Sequence, residues 1–180
     1  MKVIKRLMSN DQATIKYVWS LDDNNYIESV YLQFEEYDSL CISSQAGCNL
    51  NCKFCATGLE GLKRNLTVSE IVGQVEGVFM DVGLPTRDFE VSFMGMGEPL
   101  LNLETILEAI NRLKVNYPAI RFSLSTVGIV NKLYELKHKT TDLRLQVSLH
   151  SPNDELRTQI MPITKKYPIS EVLEAAVAYA

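Results

Sequence analysis

From residue 39 onward the chain repeats one pattern, a short apolar run followed by a segment with helical spacing. The pattern predicts strands over 39–43, 89–94, 120–125 and 143–148, and helices over 68–82, 103–115, 131–137 and 171–180. Strands that alternate with helices are joined by crossovers, and crossovers make parallel sheets with helices packed on them. The expected fold class is therefore α/β, with parallel strands and covering helices too few to close a barrel. The 68–82 helix is the best specified, because Thr67 and Glu70 have capping-box spacing and Val68, Ile71, Val72, Val75, Phe79 and Val82 recur on one face. Ahead of the repeat, 14–21 and 26–34 flank Asp22-Asp-Asn-Asn25 and read as an N-terminal β-hairpin. The chain then divides into a hairpin extension at 1–37 and an incomplete barrel domain at 38–180. Its 143–148 strand is expected to form an open edge that further chain would cover, and the last helix to run into Ala180 without a cap.

Composition narrows the function. A chain of 180 residues, 46% hydrophobic and 22% charged, is neither a disordered segment nor a disulfide scaffold. Met1-Lys-Val-Ile-Lys-Arg-Leu-Met8 lacks the apolar core of a signal peptide, and no run reaches membrane-spanning length. A cytoplasmic protein is expected, and in the cytoplasm clustered thiols serve metals or catalysis. The net charge of -4 brings no general attraction for nucleic acid, so RNA contact would need a local basic patch or another part of the protein.

The chain has 4 cysteines, and Cys48-Asn-Leu-Asn-Cys52-Lys-Phe-Cys55 places three of them in one polar loop. Zinc sites commonly draw two close pairs from separate segments. Three ligands in one loop suit a group with one position left open, as in a four-iron cluster whose free iron chelates an external molecule. Zinc with Cys41 as fourth ligand is the alternative that spacing leaves open. Asn65-Leu-Thr67 matches a glycosylation sequon, a chance match in a cytoplasmic chain.

The cysteine loop, with Phe54 before its last cysteine, resembles the signature of the radical S-adenosylmethionine enzymes. The longer string from Cys41 to Gly58 is similar to the RlmN/Cfr family of ribosomal RNA adenine methyltransferases. So are Arg64-Asn-Leu-Thr67, Met94-Gly-Met-Gly-Glu-Pro-Leu-Leu-Asn102, Ser125-Thr126 and Ser148-Leu-His-Ser-Pro-Asn-Asp154, in the same order. The resemblance implies a partial radical SAM (β/α) barrel in which Cys48, Cys52 and Cys55 hold a 4Fe-4S cluster. Gly97, Glu98, Ser125, Ser148, Leu149 and His150 would contact S-adenosyl-L-methionine. Glu28 would be the proton acceptor. Cys41 would assist product release through a transient disulfide with a methyl-carrying cysteine. The implied partners are ribosomal RNA, with transfer RNA as a further candidate, and an external electron donor such as flavodoxin; no membrane is involved.

Members of that family also carry an N-terminal helical RNA-binding domain, further barrel strands and the methyl-accepting cysteine, whereas no cysteine follows Cys55 here. The chain is expected to be a fragment or truncated member that does not transfer methyl groups alone. Two readings from other classes stand beside it. A radical SAM enzyme acting on another substrate would cleave the cofactor without methylating RNA, and a non-enzymatic metal-binding remnant would do neither.

Overall fold

The computed structural model describes residues 1–139 and 142–180. Its strands are β1 (Lys2–Met8), β2 (Thr14–Ser20), β3 (Tyr26–Gln33), β4 (Asp38–Cys41), β5 (Gln45–Gly47), β6 (Leu62–Asn65), β7 (Phe89–Phe93), β8 (Arg121–Thr126) and β9 (Arg144–Val147). The helices are α1 (Val68–Val82), α2 (Leu103–Asn116), α3 (Val130–Lys139), α4 (Asp154–Ile160) and α5 (Ile169–Tyr179). Seven strands form one sheet in the order β1-β2-β3-β4-β7-β8-β9, while β5 and β6 pair separately. Pairing is antiparallel from β1 to β4 and parallel from β4 to β9. The expected α/β architecture with a leading hairpin is present, and the sheet stays open.

The hairpin forms as its turn residues require: Leu21 N–H bonds to Asn25 O at 2.8 Å and Asn24 takes φ +64°, a conformation asparagine tolerates. β1 extends this hairpin to three strands, which the sequence reading missed. Every residue of β1 is exposed, so its sequence has no buried face to show as alternation. The short β5–β6 ribbon and α4 were missed as well.

Packing is one-sided. Ile15, Tyr17, Trp19, Ile27 and Tyr31 join Leu40, Val91, Phe93, Phe122 and Leu124 in a single core with Ile71, Val75, Ile106, Ile110 and Leu133 of the helices. Strand parity sends the alternate residues to the other face, which carries Glu28, Cys41, Ser92, Ser123, Ser125 and Gln146. α1 begins with the expected capping box: Glu70 N–H bonds to Thr67 Oγ1 at 3.2 Å and Thr67 N–H to Glu70 Oε2 at 2.9 Å. Its buried stripe includes one polar residue, Gln74, which accepts from Ser43 N–H at 2.9 Å and donates to Ser43 O at 3.0 Å. This pair pins the chain where β4 leads toward the cysteine loop.

Candidate functional site

The cysteine loop leaves the sheet at Gly47, whose φ of +78° favours glycine and whose Cβ would stand 2.0 Å from Gly61 O. Cys48 N–H bonds to that same oxygen at 3.2 Å, closing the neck of the loop. Within it, Asn51 adopts φ +53°, Cys55 N–H bonds to Cys52 O at 3.0 Å, and a 3-10 turn follows over Ala56–Gly58. All four cysteines are free thiols, with Cys48 buried and the others half-buried. Burial raises the Cys48 thiol, and burial with the nearby Cys48 and Cys55 sulfurs and Glu98 pushes Cys52 up to about 11 against a smaller pull from Arg157. A metal bound here must therefore displace protons from sulfur.

The loop leans on the far end of the sheet at two points. Lys53 N–H bonds to Ile160 O at 2.9 Å, where α4 ends, and the Phe54 ring packs on the His150 ring with centroids 4.4 Å apart. His150 takes φ +55° just past β9, which turns its ring toward the loop. Beside it, Ser125 Oγ and Ser148 Oγ lie 3.2 Å apart across the ends of β8 and β9. Leu149 presents its carbonyl to Arg157 Nε at 3.1 Å.

Gly97 and Glu98 follow β7. Gly97 has φ +100° and lies so close to Gln45 that a Cβ would stand 2.5 Å from the Gln45 Cβ. Gln45 Oε1 accepts from Glu98 N–H at 2.8 Å, coupling this turn to β5. Glu98 is only 3% exposed. Its Oε1 accepts from Thr126 Oγ1 at 2.6 Å and Leu100 N–H at 3.0 Å, and its Oε2 from Val127 N–H at 3.0 Å. Burial raises this carboxyl, outweighing the three donors that pull it down.

Glu28 and Cys41 lie on the polar face of the sheet, since Cys41 stands opposite Val30 and Glu28 is two residues back on the same strand. Glu28 pairs with Lys16 at 2.7 Å and lines a cavity of about 490 Å³ with Gly47, Thr57, Lys63 and Met96, beside the cysteine loop. Burial raises the Cys41 thiol, outweighing a smaller opposing pull from the Met94 backbone and the Ser92 side chain.

Three contributors escaped the sequence reading. Asn102 Nδ2 donates to Ser44 O at 3.0 Å and Leu66 O at 2.9 Å, bracing both ends of the segment that contains the loop. Gln45 stands between the two halves of the site. Arg157, on α4, is fully buried and bonds to the ends of β8 and β9. Its signal was readable, because Asn153 with Asp154 and Glu155 marks a helix start, and Asn153 Oδ1 does cap Leu156 N–H at 2.9 Å.

Among the described residues no three His, Cys, Asp or Glu side chains are gathered to hold a metal ion. A cuboidal cluster spreads its thiolates wider than a single ion does. Three free thiols on one loop, near enough to act on one another and anchored at Gly61, Ile160 and His150, fit such a cluster. Cys41 lies outside that loop, on β4 opposite Ser92, which favours the three-thiol reading over a four-cysteine zinc site.

The chain matches the Radical SAM superfamily over residues 42–179. It is 42% identical over 186 residues to "Probable dual-specificity RNA methyltransferase RlmN" of Dictyoglomus turgidum, covering 99% of this chain and 52% of that protein. The protein of the same name from Clostridium botulinum is also 42% identical, with 99% and 53% covered. A solved structure of a radical SAM methyltransferase from Sphaerobacter thermophilus superposes with a TM-score of 0.90 at 34% identity, over 99% of this chain and 54% of that one. The chain thus spans about half the length of the curated relatives it matches. With its cysteine loop, parallel sheet and matched span in agreement, the chain belongs to the radical SAM superfamily.

Proposed function

We propose that this chain provides the cluster and S-adenosyl-L-methionine site of an RNA adenine methyltransferase, with Cys48, Cys52 and Cys55 holding a 4Fe-4S cluster. The observation that carries this reading is the docking of the cysteine loop on the end of α4 and on the turn after β9, through Lys53 to Ile160 and Phe54 to His150. Such a cluster, when bound, supplies the single electron that cleaves the cofactor's sulfonium. The protein's own task is to place the reactants and keep water out.

Gly97, a cofactor contact in this reading, lets the turn after β7 close against Gln45, where a Cβ would stand 2.5 Å from the Gln45 Cβ, and so sets the position of Glu98. Each Glu98 oxygen accepts about two hydrogen bonds. Oε1 already has two and Oε2 one, so Oε2 keeps a place for the cofactor's ammonium group. Ser125 and Ser148 offer hydroxyls at the rim, with Leu149 and His150 completing the wall. On the cavity side Glu28 is the proton acceptor, oriented by Lys16, and Cys41 is the thiol that assists product release. Residues 1–37 serve as an extension that carries Glu28 to the 38–180 core. The substrate is ribosomal RNA, with transfer RNA a second candidate; the electron donor is a flavodoxin-like protein and the compartment the cytoplasm. No helix among the described residues is long and apolar enough to cross a membrane.

The test is anaerobic reconstitution with iron and sulfide, followed by dithionite, labelled S-adenosylmethionine and a ribosomal RNA fragment. The chain is expected to take up about four irons and to form 5′-deoxyadenosine, with RNA label read separately. A chain that binds no iron, or binds it without cleaving the cofactor, would sink the reading.

A further inference from the structure

We propose that Arg157 is a positioning residue that docks the cysteine loop and raises the reduction potential of a cluster held there, an inference that rests on the function proposed above. Arg157 has no exposed surface. Its Nε donates to Leu149 O at 3.1 Å. Nη1 donates to Thr164 Oγ1 at 3.1 Å and Tyr167 O at 3.5 Å, and Nη2 to Val127 O at 2.6 Å and Ser148 O at 3.4 Å. All of these acceptors are neutral, and among the described residues no carboxylate forms an ion pair with the guanidinium.

A buried cation without a counter-charge is costly, and carbonyl dipoles offset only part of that cost. Two groups close enough to favour its charge are Asp154 on its own helix and the Cys52 sulfur, which becomes an anion once it binds iron. The mechanical arrangement points the same way. Arg157 grips Leu149 O, next to the His150 whose ring supports Phe54, and it belongs to α4, whose last carbonyl holds Lys53 N–H. One support of the loop is thus held by the Arg157 side chain and the other by the helix that carries it.

Three thiolates make a 4Fe-4S group net negative, and one added electron makes it more so. A fixed buried cation beside it favours the reduced form, because potentials follow local charge and solvent exclusion. The step is the uptake of one electron from dithionite, with no bond made or broken in the chain. Arg157 would act through the field and through the loop, without touching substrate.

The experiment compares reconstituted wild type, Arg157→Met and Arg157→Lys by iron content, thermal melting and a potentiometric titration followed by electron paramagnetic resonance. Arg157→Met is expected to weaken reduction at least tenfold, about 59 mV for a one-electron couple. Arg157→Lys, which keeps the charge, should change it less than threefold. A folded, fully loaded Arg157→Met protein with the wild-type potential overturns the inference while leaving the proposed function standing. Failure of the wild type to load iron overturns both. If Arg157→Met does not fold, Asp154→Asn decides. This isosteric change keeps the bond to Ile169 N–H and removes the opposing charge, so at low ionic strength the potential should rise. No rise overturns the inference.

Discussion

Thr126 Oγ1 donates a 2.6 Å hydrogen bond to Glu98 Oε1, a contact between two buried residues that joins the end of β8 to the turn after β7. Because burial raises the Glu98 carboxyl, the folded state holds its proton more tightly than the unfolded chain does. Its contribution to stability is complete below the ordinary carboxylate range and is lost as pH rises through the folded value. Glu98→Gln removes this dependence. The melting temperature of the wild type minus that of the variant should therefore be largest in acid and shrink toward neutral pH, and a difference that grows with pH would contradict the assignment.

Glu70 behaves in the opposite sense. Arg64 holds its carboxyl below the usual range through two 2.8 Å bonds, and Thr67 N–H adds a third. That stability is present above the unfolded carboxylate value and is lost as pH falls through the folded one. Glu70→Ala should cost about 1–2 kcal/mol near neutral pH, in the range of a lost cap, and less in acid. Urea melts at two pH values would check it.

Cysteine replacement separates the metal readings. Cys52→Ala should abolish iron uptake, whereas Cys41→Ala should keep the wild-type iron content and visible absorbance, since Cys41 lies on β4, outside the cysteine loop. Equal loss in both variants would restore a four-cysteine site.

The two glycines of the site make a steric prediction. Gly97→Ala forces a side chain onto φ +100° and into Gln45, costing roughly 1–3 kcal/mol and loosening the Gln45–Glu98 bond. Gly47→Ala should be worse, because its Cβ would meet the Gly61 carbonyl oxygen at 2.0 Å, a backbone atom that cannot rotate away. Thermal melts should rank wild type above Gly97→Ala, and Gly97→Ala above Gly47→Ala.

Glu28 tests function apart from stability. It and Lys16 are each about two-fifths exposed, so Glu28→Gln should change stability by less than about 0.5 kcal/mol and leave iron content unchanged. Formation of 5′-deoxyadenosine should also survive. Loss of iron in this variant would mean that Glu28 supports the cluster loop and does not serve as the proton acceptor.

Much of this protein was legible in its residues. The helical spacing of Ile71, Val75 and Phe79, the Thr67–Glu70 cap and the βα alternation rest on contacts between near neighbours, which a linear sequence displays directly. The three-cysteine loop was equally plain, because its members are close in the chain. What only the tertiary structure decided joins residues far apart: Gln45 to Glu98, Glu98 to Thr126, Gln74 to Ser43, and Arg157 to Val127. Gln74 is the plainest case, a polar residue in an apolar helical stripe whose place makes sense only once Ser43 stands over it. Glu98 was singled out in the sequence by resemblance alone, and its donors appear only when β8 folds beside it. Local periodicity reports which face of an element is buried, while the partner of a buried polar group is set by the strand order that brings distant segments together.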